Sequence, residues 1–400
     1  MARVHAVGDR LVLCASSHVF IVWLSSSTLS IVGKCDVKEV SDSIPTPQVE
    51  KSAEEKQEIV SKNVEDAEIQ ILASAVSSSG SLLAIATSAK TVLIFDLPTL
   101  SLRRGFRIPK APTSMTFDAD ITHVLVGDRA GHVCRYTVAA PNKCGYVDIN
   151  GEASQFEGKA LSGAISMVLD VAISSDGRYL LVADRDEKIR VSRYPEAYVI
   201  QSFCLGHSAY VSSVVPSGNG LFSGGGDGIV HEWHMESGTS IAQSEKVNEE
   251  PIRRMCVSTN DNKFCLAAIM GKTLVIFDEK LKVTNTFDVS DALMDITSFK
   301  GTIVGVSRSC VIVFNPFDGT SHSMEVPSEL LQCLSESKDP MLNYFKNVTH
   351  QNMLDYYKRK AEKLESTKEN QIRKRKARQL REEAAKVKKV ASEAEMETAS

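Results

Sequence analysis

Three stretches of this chain follow one plan at long intervals: VSSSGSLLAIA (76–86), ISSDGRYLLVA (173–183) and VSTNDNKFCLAA (257–268). Each is a strand end, a polar turn of Ser, Asp, Gly or Asn, and an apolar strand. After a further short turn comes a second apolar element, TVLIFD (91–96), KIRVS (188–192) or TLVIFD (273–278). Comparable endings appear in VFIVW (19–23), VCRY (133–136), IVHEW (229–233) and VIVF (311–314). Taking the end of this strand as a marker gives Trp23, Phe95, Tyr136, Ser192, Trp233, Phe277 and Phe314, with separations of 72, 41, 56, 41, 44 and 37 residues.

A repeat of this length constrains the fold more than composition does. A four-stranded propeller blade needs about 40–45 residues. The 72-residue gap holds an acidic segment, roughly 34–67, with few large apolar groups, which reads as an inserted solvated loop. Leaving it out, residues 1–327 divide into seven units of about 42 residues. The spacing therefore predicts an all-β, seven-bladed propeller over 1–327, a linker over 328–348 and a charged tail, helical or disordered, over 349–400. Radial closure also hides strand edges that would otherwise pair with other chains.

One unit is explicit. LGHSAYVSSV (205–214) followed by LFSGGGDGIVHEW (221–233) resembles the WD-repeat pattern, and the resemblance implies a hydrogen-bonded set of His207, Ser223, Asp227 and Trp233. Two motifs in it imitate other chemistry. SGGGDG (223–228) could pass for a cofactor loop, but such a loop leads into a helix, whereas the alternating IVHEW reads as a strand. HEWH (231–234) could pass for a metal site, but on a strand residues three apart face opposite sides, so His231 and His234 cannot share an ion. No G-x-S-x-G or phosphate-binding loop occurs, and Asp176 reads as a turn residue, so the expectation is no catalytic residue, no metal and no cofactor.

The stretch ADRDEKIRVS (183–192) places six charged side chains in the seven positions from Asp184 to Arg190, in a tight turn between two apolar strands. Asp186 stands where Asp227 stands in the next unit and serves its own turn, and Arg190 falls on a strand position that tolerates a basic residue. A single turn does not need Arg185, Glu187 and Lys188 as well. The run VLDVAISSDGRYLLVADRDEKIRVSRYP…SFCLGHSAYVSSV (168–214) resembles the WD-repeat, non-catalytic subunit of the tRNA (guanine-N7)-methyltransferase. FKNVTHQNMLDYYKRKAEKLE (345–365) is similar to the same family. The resemblance implies a separate Rossmann-like subunit that binds S-adenosylmethionine and methylates N7 of a guanosine in the tRNA variable loop. This chain would then supply no catalysis and would hold that subunit active as a heterodimer on tRNA. Its contact residues would be Asp184, Arg185, Asp186, Glu187, Lys188, Arg190 and His207. The competing reading is a generic WD-repeat adaptor, in a ubiquitin ligase or in ribosome assembly, which has no reason to match DRDEKIRVS.

Charge is unevenly distributed. Residues 36–68 carry a net charge of −6, and residues 358–389 carry +9. Residues 349–390 lack Pro and Gly and read as helix, with Met353, Tyr356, Tyr357, Lys360 and Leu364 at roughly helical spacing. The cluster Arg373, Lys374, Arg375, Lys376 and Arg378 fits phosphate contact with tRNA, nuclear import, or both. The nine cysteines are scattered, without metal spacing, and read as small buried groups in a reducing compartment. No apolar run approaches membrane-span length, so the expectation is an intracellular protein of the nucleus, with the cytoplasm open as a second location and no membrane partner.

Overall fold

The computed structural model describes residues 2–344 except 46–67, 141–145, 148–152, 164–165 and 261–262, together with Lys358, Glu362 and Glu365. The chain divides into a unit spanning residues 1–339 and a second spanning 340–400. The first is a ring of seven four-stranded antiparallel sheets, six of them built from four consecutive strands and the third completed by a strand that follows an insertion. Its innermost strands, running from Arg3–Val7 in blade 1 to Asp295–Phe299 in blade 7, contact one another in sequence and back to the first. All seven marker residues lie on third strands, at or within one residue of the end.

Alternation in the inner three strands of each blade puts one set of side chains against each neighbouring blade. Phe20, Phe95, Trp233, Phe277 and Phe314 are fully enclosed there. Second strands such as Leu82–Thr87 and Tyr179–Asp184 are buried along their length, which explains their unbroken apolar sequence. Cys14 and Cys204 are among the buried residues, and burial pushes both thiols up to about 12.

Polar groups also tie the blades together. Asp170 of blade 4 accepts hydrogen bonds from Ser114 Oγ of blade 3 (2.8 Å) and Val214 N of blade 5 (3.0 Å), and lies 3.3 Å from Arg254 of blade 6. Asp295 of blade 7 accepts from Val4 N of blade 1 at 2.9 Å and sits 3.5 Å from Arg3.

The ring closes without a strand shared between its ends. Blade 1 uses residues 3–36 and blade 7 uses 295–323. Ser27–Leu29 and Glu325 form a short parallel bridge, with hydrogen bonds of 3.0 and 2.8 Å. A helix follows at Ser328–Glu336, and its Leu330, Cys333 and Leu334 join one apolar cluster with Leu13, Val22, Val304 and Val313 from both terminal blades. Ser337 Oγ accepts from Ser16 N at 2.8 Å, and Lys34 pairs with Glu329. This helix lies within the residues expected as linker. Its apolar groups are only four, three of them buried, too few to stand out beside the longer charged tail.

Two insertions interrupt the repeat. After the blade 1 outer strand, Leu29–Asp36, a short helix Val37–Asp42 is capped by Asp36, whose carboxylate accepts from Lys38 N at 2.8 Å. The described part of the expected acidic loop is therefore strand end and helix. The second insertion separates the third strand of blade 3, His132–Thr137, from its fourth, Lys159–Gly163, and contains a small hairpin, Tyr146–Val147 with Ala153–Ser154.

Candidate partner-binding face

ADRDEK is the turn between the second and third strands of blade 4. Asp184 closes it: its Oδ1 accepts from Asp186 N at 2.8 Å and Lys188 N at 3.3 Å. The residue is buried, and that burial raises its pKa against the opposing hydrogen bonds. Asp186 accepts from Ser166 Oγ at 2.8 Å, which docks the turn on the preceding connection. Glu187 has a φ of 69°, a left-handed conformation that an L-residue adopts at a cost of about 1 kcal/mol. The same place in blade 5 is a glycine, Gly228, with a φ of 72°.

Three residues of the expected contact set make bonds within the fold. Arg190 donates through Nε to Ser192 Oγ (2.9 Å), and through its two Nη atoms to Ala197 O (3.0 Å) and Gly163 O (3.3 Å). Its guanidinium binds its own blade and the outer strand of blade 3, and burial lowers its pKa. Asp184 is taken up by the turn. His207 is enclosed, with both ring nitrogens bonded, so it can affect a partner only by shaping its loop. Arg185, Asp186, Glu187 and Lys188 retain solvent-facing charge, and Arg185 Nε lies 3.9 Å from Asp186.

The predicted set in blade 5 forms a continuous relay. Trp233 Nε1 donates to Ser223 Oγ at 2.7 Å, Ser223 lies 2.7 Å from His207 Nε2, and His207 Nδ1 lies 2.8 Å from Asp227. A proton on Nδ1 satisfies every member. Burial works to raise the Asp227 pKa, but hydrogen bonds from His207, Ser208 and Ile229 leave it below the ordinary value. His231 comes within 4.8 Å of His207 and Asp227, yet both His207 nitrogens already have partners, so the trio offers an ion no free ligand set. His231 is buried and His234 exposed, on opposite faces as expected.

The glycines of SGGGDG have a packing explanation. A Cβ on Gly225 would fall 1.8 Å from the Tyr210 carbonyl oxygen, and the next strand is His231–His234, with no helix between.

Apolar groups flank the charged turn. In the outer strand Ile200–Leu205, Leu205 pairs with Lys188 and Phe203 with Arg190. The outer strand of blade 5, Thr239–Gln243, lies beside it. Leu205 is 63% exposed, Phe203 42% and Ile241 of blade 5 56%. Sequence reasoning missed this strip. SFCL alternates as an ordinary strand does, and alternation does not reveal that the outer face of a fourth strand has no neighbour. The basic cluster Arg373, Lys374, Arg375, Lys376 and Arg378 lies outside the described residues.

A seven-bladed WD-repeat propeller with a charged turn beside an exposed apolar strip is a binding scaffold. Residues 142–273 match the family described as the tRNA methyltransferase TRM82 WD40 domain. A tRNA (guanine-N(7)-)-methyltransferase non-catalytic subunit from Caenorhabditis elegans is 35% identical over 312 residues, covering 74% of this chain and 75% of the relative. The human subunit WDR4 is 39% identical over 174 residues, covering 43% of this chain and 39% of its own length. The Xenopus laevis subunit is 27% identical over 338 residues, covering 75% of this chain and 81% of the relative. The chain belongs to the family of tRNA (guanine-N7)-methyltransferase non-catalytic subunits.

Proposed function

We propose that this propeller binds a separate, S-adenosylmethionine-dependent catalytic subunit as a heterodimer and holds it active for N7-methylguanosine formation in the tRNA variable loop. The observation that supports this most is the blade 4 turn. Arg185, Glu187 and Lys188 remain outward-facing after Asp184 and Arg190 are accounted for, and they lie beside Phe203 and Leu205. Mixed charges around an apolar strip fix register and reject wrong partners. The relatives carry the name non-catalytic subunit, which favours this reading over a generic adaptor. The basic tail is assigned to tRNA phosphates, with nuclear import as a compatible second role, and the complex to the nucleus.

Lys188→Glu tests the docking site, because Lys188 makes no side-chain hydrogen bond or ion pair among the described residues, its charge acting inside the turn only by opposing the rise in the Asp184 pKa. Stranding a paired interface charge costs about 2–5 kcal/mol of binding, roughly thirty- to several-thousand-fold in affinity. The expected result is that loss of affinity for the catalytic subunit, measured by calorimetry, with an unchanged melting temperature. Undiminished affinity would move the docking site elsewhere.

A further inference from the structure

The closing helix ends at Glu336, and the next three residues are each tied to a different part of the ring. Ser337 Oγ accepts from Ser16 N of blade 1 at 2.8 Å. Lys338 Nζ lies 3.8 Å from Glu68, on the segment leading into blade 2. Asp339 takes both arms of a guanidinium: Arg253 of blade 6 donates to it through Nη2 at 2.6 Å and through Nε at 3.0 Å. Lys338 and Glu68 are well exposed, so their pair contributes little. The Arg253 and Asp339 side chains are only 14% and 19% exposed, and a two-pronged arginine–carboxylate pair fixes direction as well as distance.

These ties lie on the face that carries the blade 4 turn. Turns between second and third strands share a face with the connections into inner strands: Arg185 N donates to Met167 O ahead of blade 4, and Gly226 N to Tyr210 O ahead of blade 5. Ser16 belongs to such a turn in blade 1, and Arg253 is the second residue of the blade 6 inner strand, Ile252–Asn260. Tyr210 lies within electrostatic reach of the ion pair: burial raises its pKa, the charge of Arg253 opposes the rise and that of Asp339 adds to it. From Ser337 to Asp339 the chain therefore passes blade 7 and moves from three blades away from the docking turn to two. Ser337, Lys338 and Asp339 add no apolar group to the seal between blades 1 and 7, which is complete with Leu334. Pro340 follows, and a residue before proline is held to extended conformations, which stiffens the exit.

We propose that Arg253 and Asp339 are positioning residues for the methylation proposed above: their ion pair fixes the place on the docking face from which residues 340–400 leave the propeller. The inference rests on that proposed function, in which the tail contacts tRNA phosphates, and adds the residues that aim it. Closing the ring and aiming the tail are then separate jobs, given to the apolar helix and to the polar residues that follow it. Without the pair the tail would start from Ser337 over blade 1, and the effective concentration of its cations at the bound tRNA would fall.

The test uses the complex of the full chain with its catalytic subunit. Asp339→Arg is compared with the parent and with the exchanged pair Arg253→Asp/Asp339→Arg, each also in a chain whose tail carries Arg373→Gln, Lys374→Gln, Arg375→Gln, Lys376→Gln and Arg378→Gln. The measurements are the tRNA dissociation constant by anisotropy, KM and kcat for methylation, and the affinity for the catalytic subunit. Asp339→Arg is expected to weaken tRNA binding and raise KM by about threefold or more, the scale of a displaced tether, with kcat and subunit affinity at parental values. The exchanged pair should recover most of the loss, and with the glutamine tail Asp339→Arg should have no further effect. Parental tRNA binding in Asp339→Arg overturns the proposal, as does an equal loss with the glutamine tail, which would make the pair a structural clasp. Should the glutamine tail itself leave tRNA binding unchanged, the tail assignment proposed above fails first, and that result does not involve the pair. A melting curve for each variant detects misfolding, and Asp339→Asn repeats the test where Asp339→Arg melts early.

Discussion

At the scale of single residues, a run of like-looking charges divides into two jobs. Asp184 and Arg190 hold the blade, whereas Glu187 and Lys188 stand outside it. Arg190→Met should therefore lower the melting temperature, since it strands the buried carbonyl of Ala197, and an unmet buried hydrogen bond costs about 1–3 kcal/mol. Glu187 gives the opposite case. Its left-handed backbone favours glycine, so Glu187→Gly is expected to stabilise the free propeller by up to about 1 kcal/mol in a denaturant titration while weakening the catalytic subunit's binding. A variant that binds as tightly as the parent would show that the strained glutamate has no contact role. The sequence showed that the stretch carries more charge than a turn needs. It did not show which charges are surplus, because an arginine's side-chain partners, here carbonyls at 163 and 197, are distant in sequence and carry no side-chain signal.

At the scale of elements, the blades were legible because their inner strands alternate against two neighbours and end in recurring turns. Fourth strands were less so: they are half exposed and, in blade 3, displaced by an insertion. The relay in blade 5 was read from His207, Ser223, Asp227 and Trp233 alone, since the pattern fixes both spacing and partners. His231, packed against that relay, makes its blade sensitive to acid. Burial, aided by the charge of His207, lowers the His231 pKa from 6.5 to about 4. The unfolded chain then takes up this proton first as pH falls, so the stability His231 confers is full above about pH 6.5 and declines as pH drops from 6.5 towards 4. Melting temperatures of His231→Phe and the parent, compared across pH 7 to 4.5, should diverge with acidification, the variant losing less. Parallel curves would mean that His231 is protonated without penalty.

At the scale of the whole molecule, the ring depends on a helix rather than on a strand exchanged between its ends. Leu334→Ala in Ser328–Glu336 removes a fully buried side chain from the cluster shared by blades 1 and 7, and should cost about 2–5 kcal/mol. Hydrogen exchange should rise first in the inner strands of those two blades, Arg3–Val7 and Asp295–Phe299; uniform loss of protection would instead mean that the ring opens only with global unfolding. The same arrangement has a consequence for biosynthesis. Each blade is complete once its own four strands have left the ribosome, so blades 1 to 7 can form in order, at a pace set by elongation of about 5–20 residues per second. Blade 1, the oldest part of the nascent protein, must nonetheless wait with one flank uncovered until the residues up to Ser337 arrive. Its apolar surface is the last to be sealed and the longest exposed, which makes the interval between the first blade and the closing helix the period in which this chain is most open to chaperones and to aggregation.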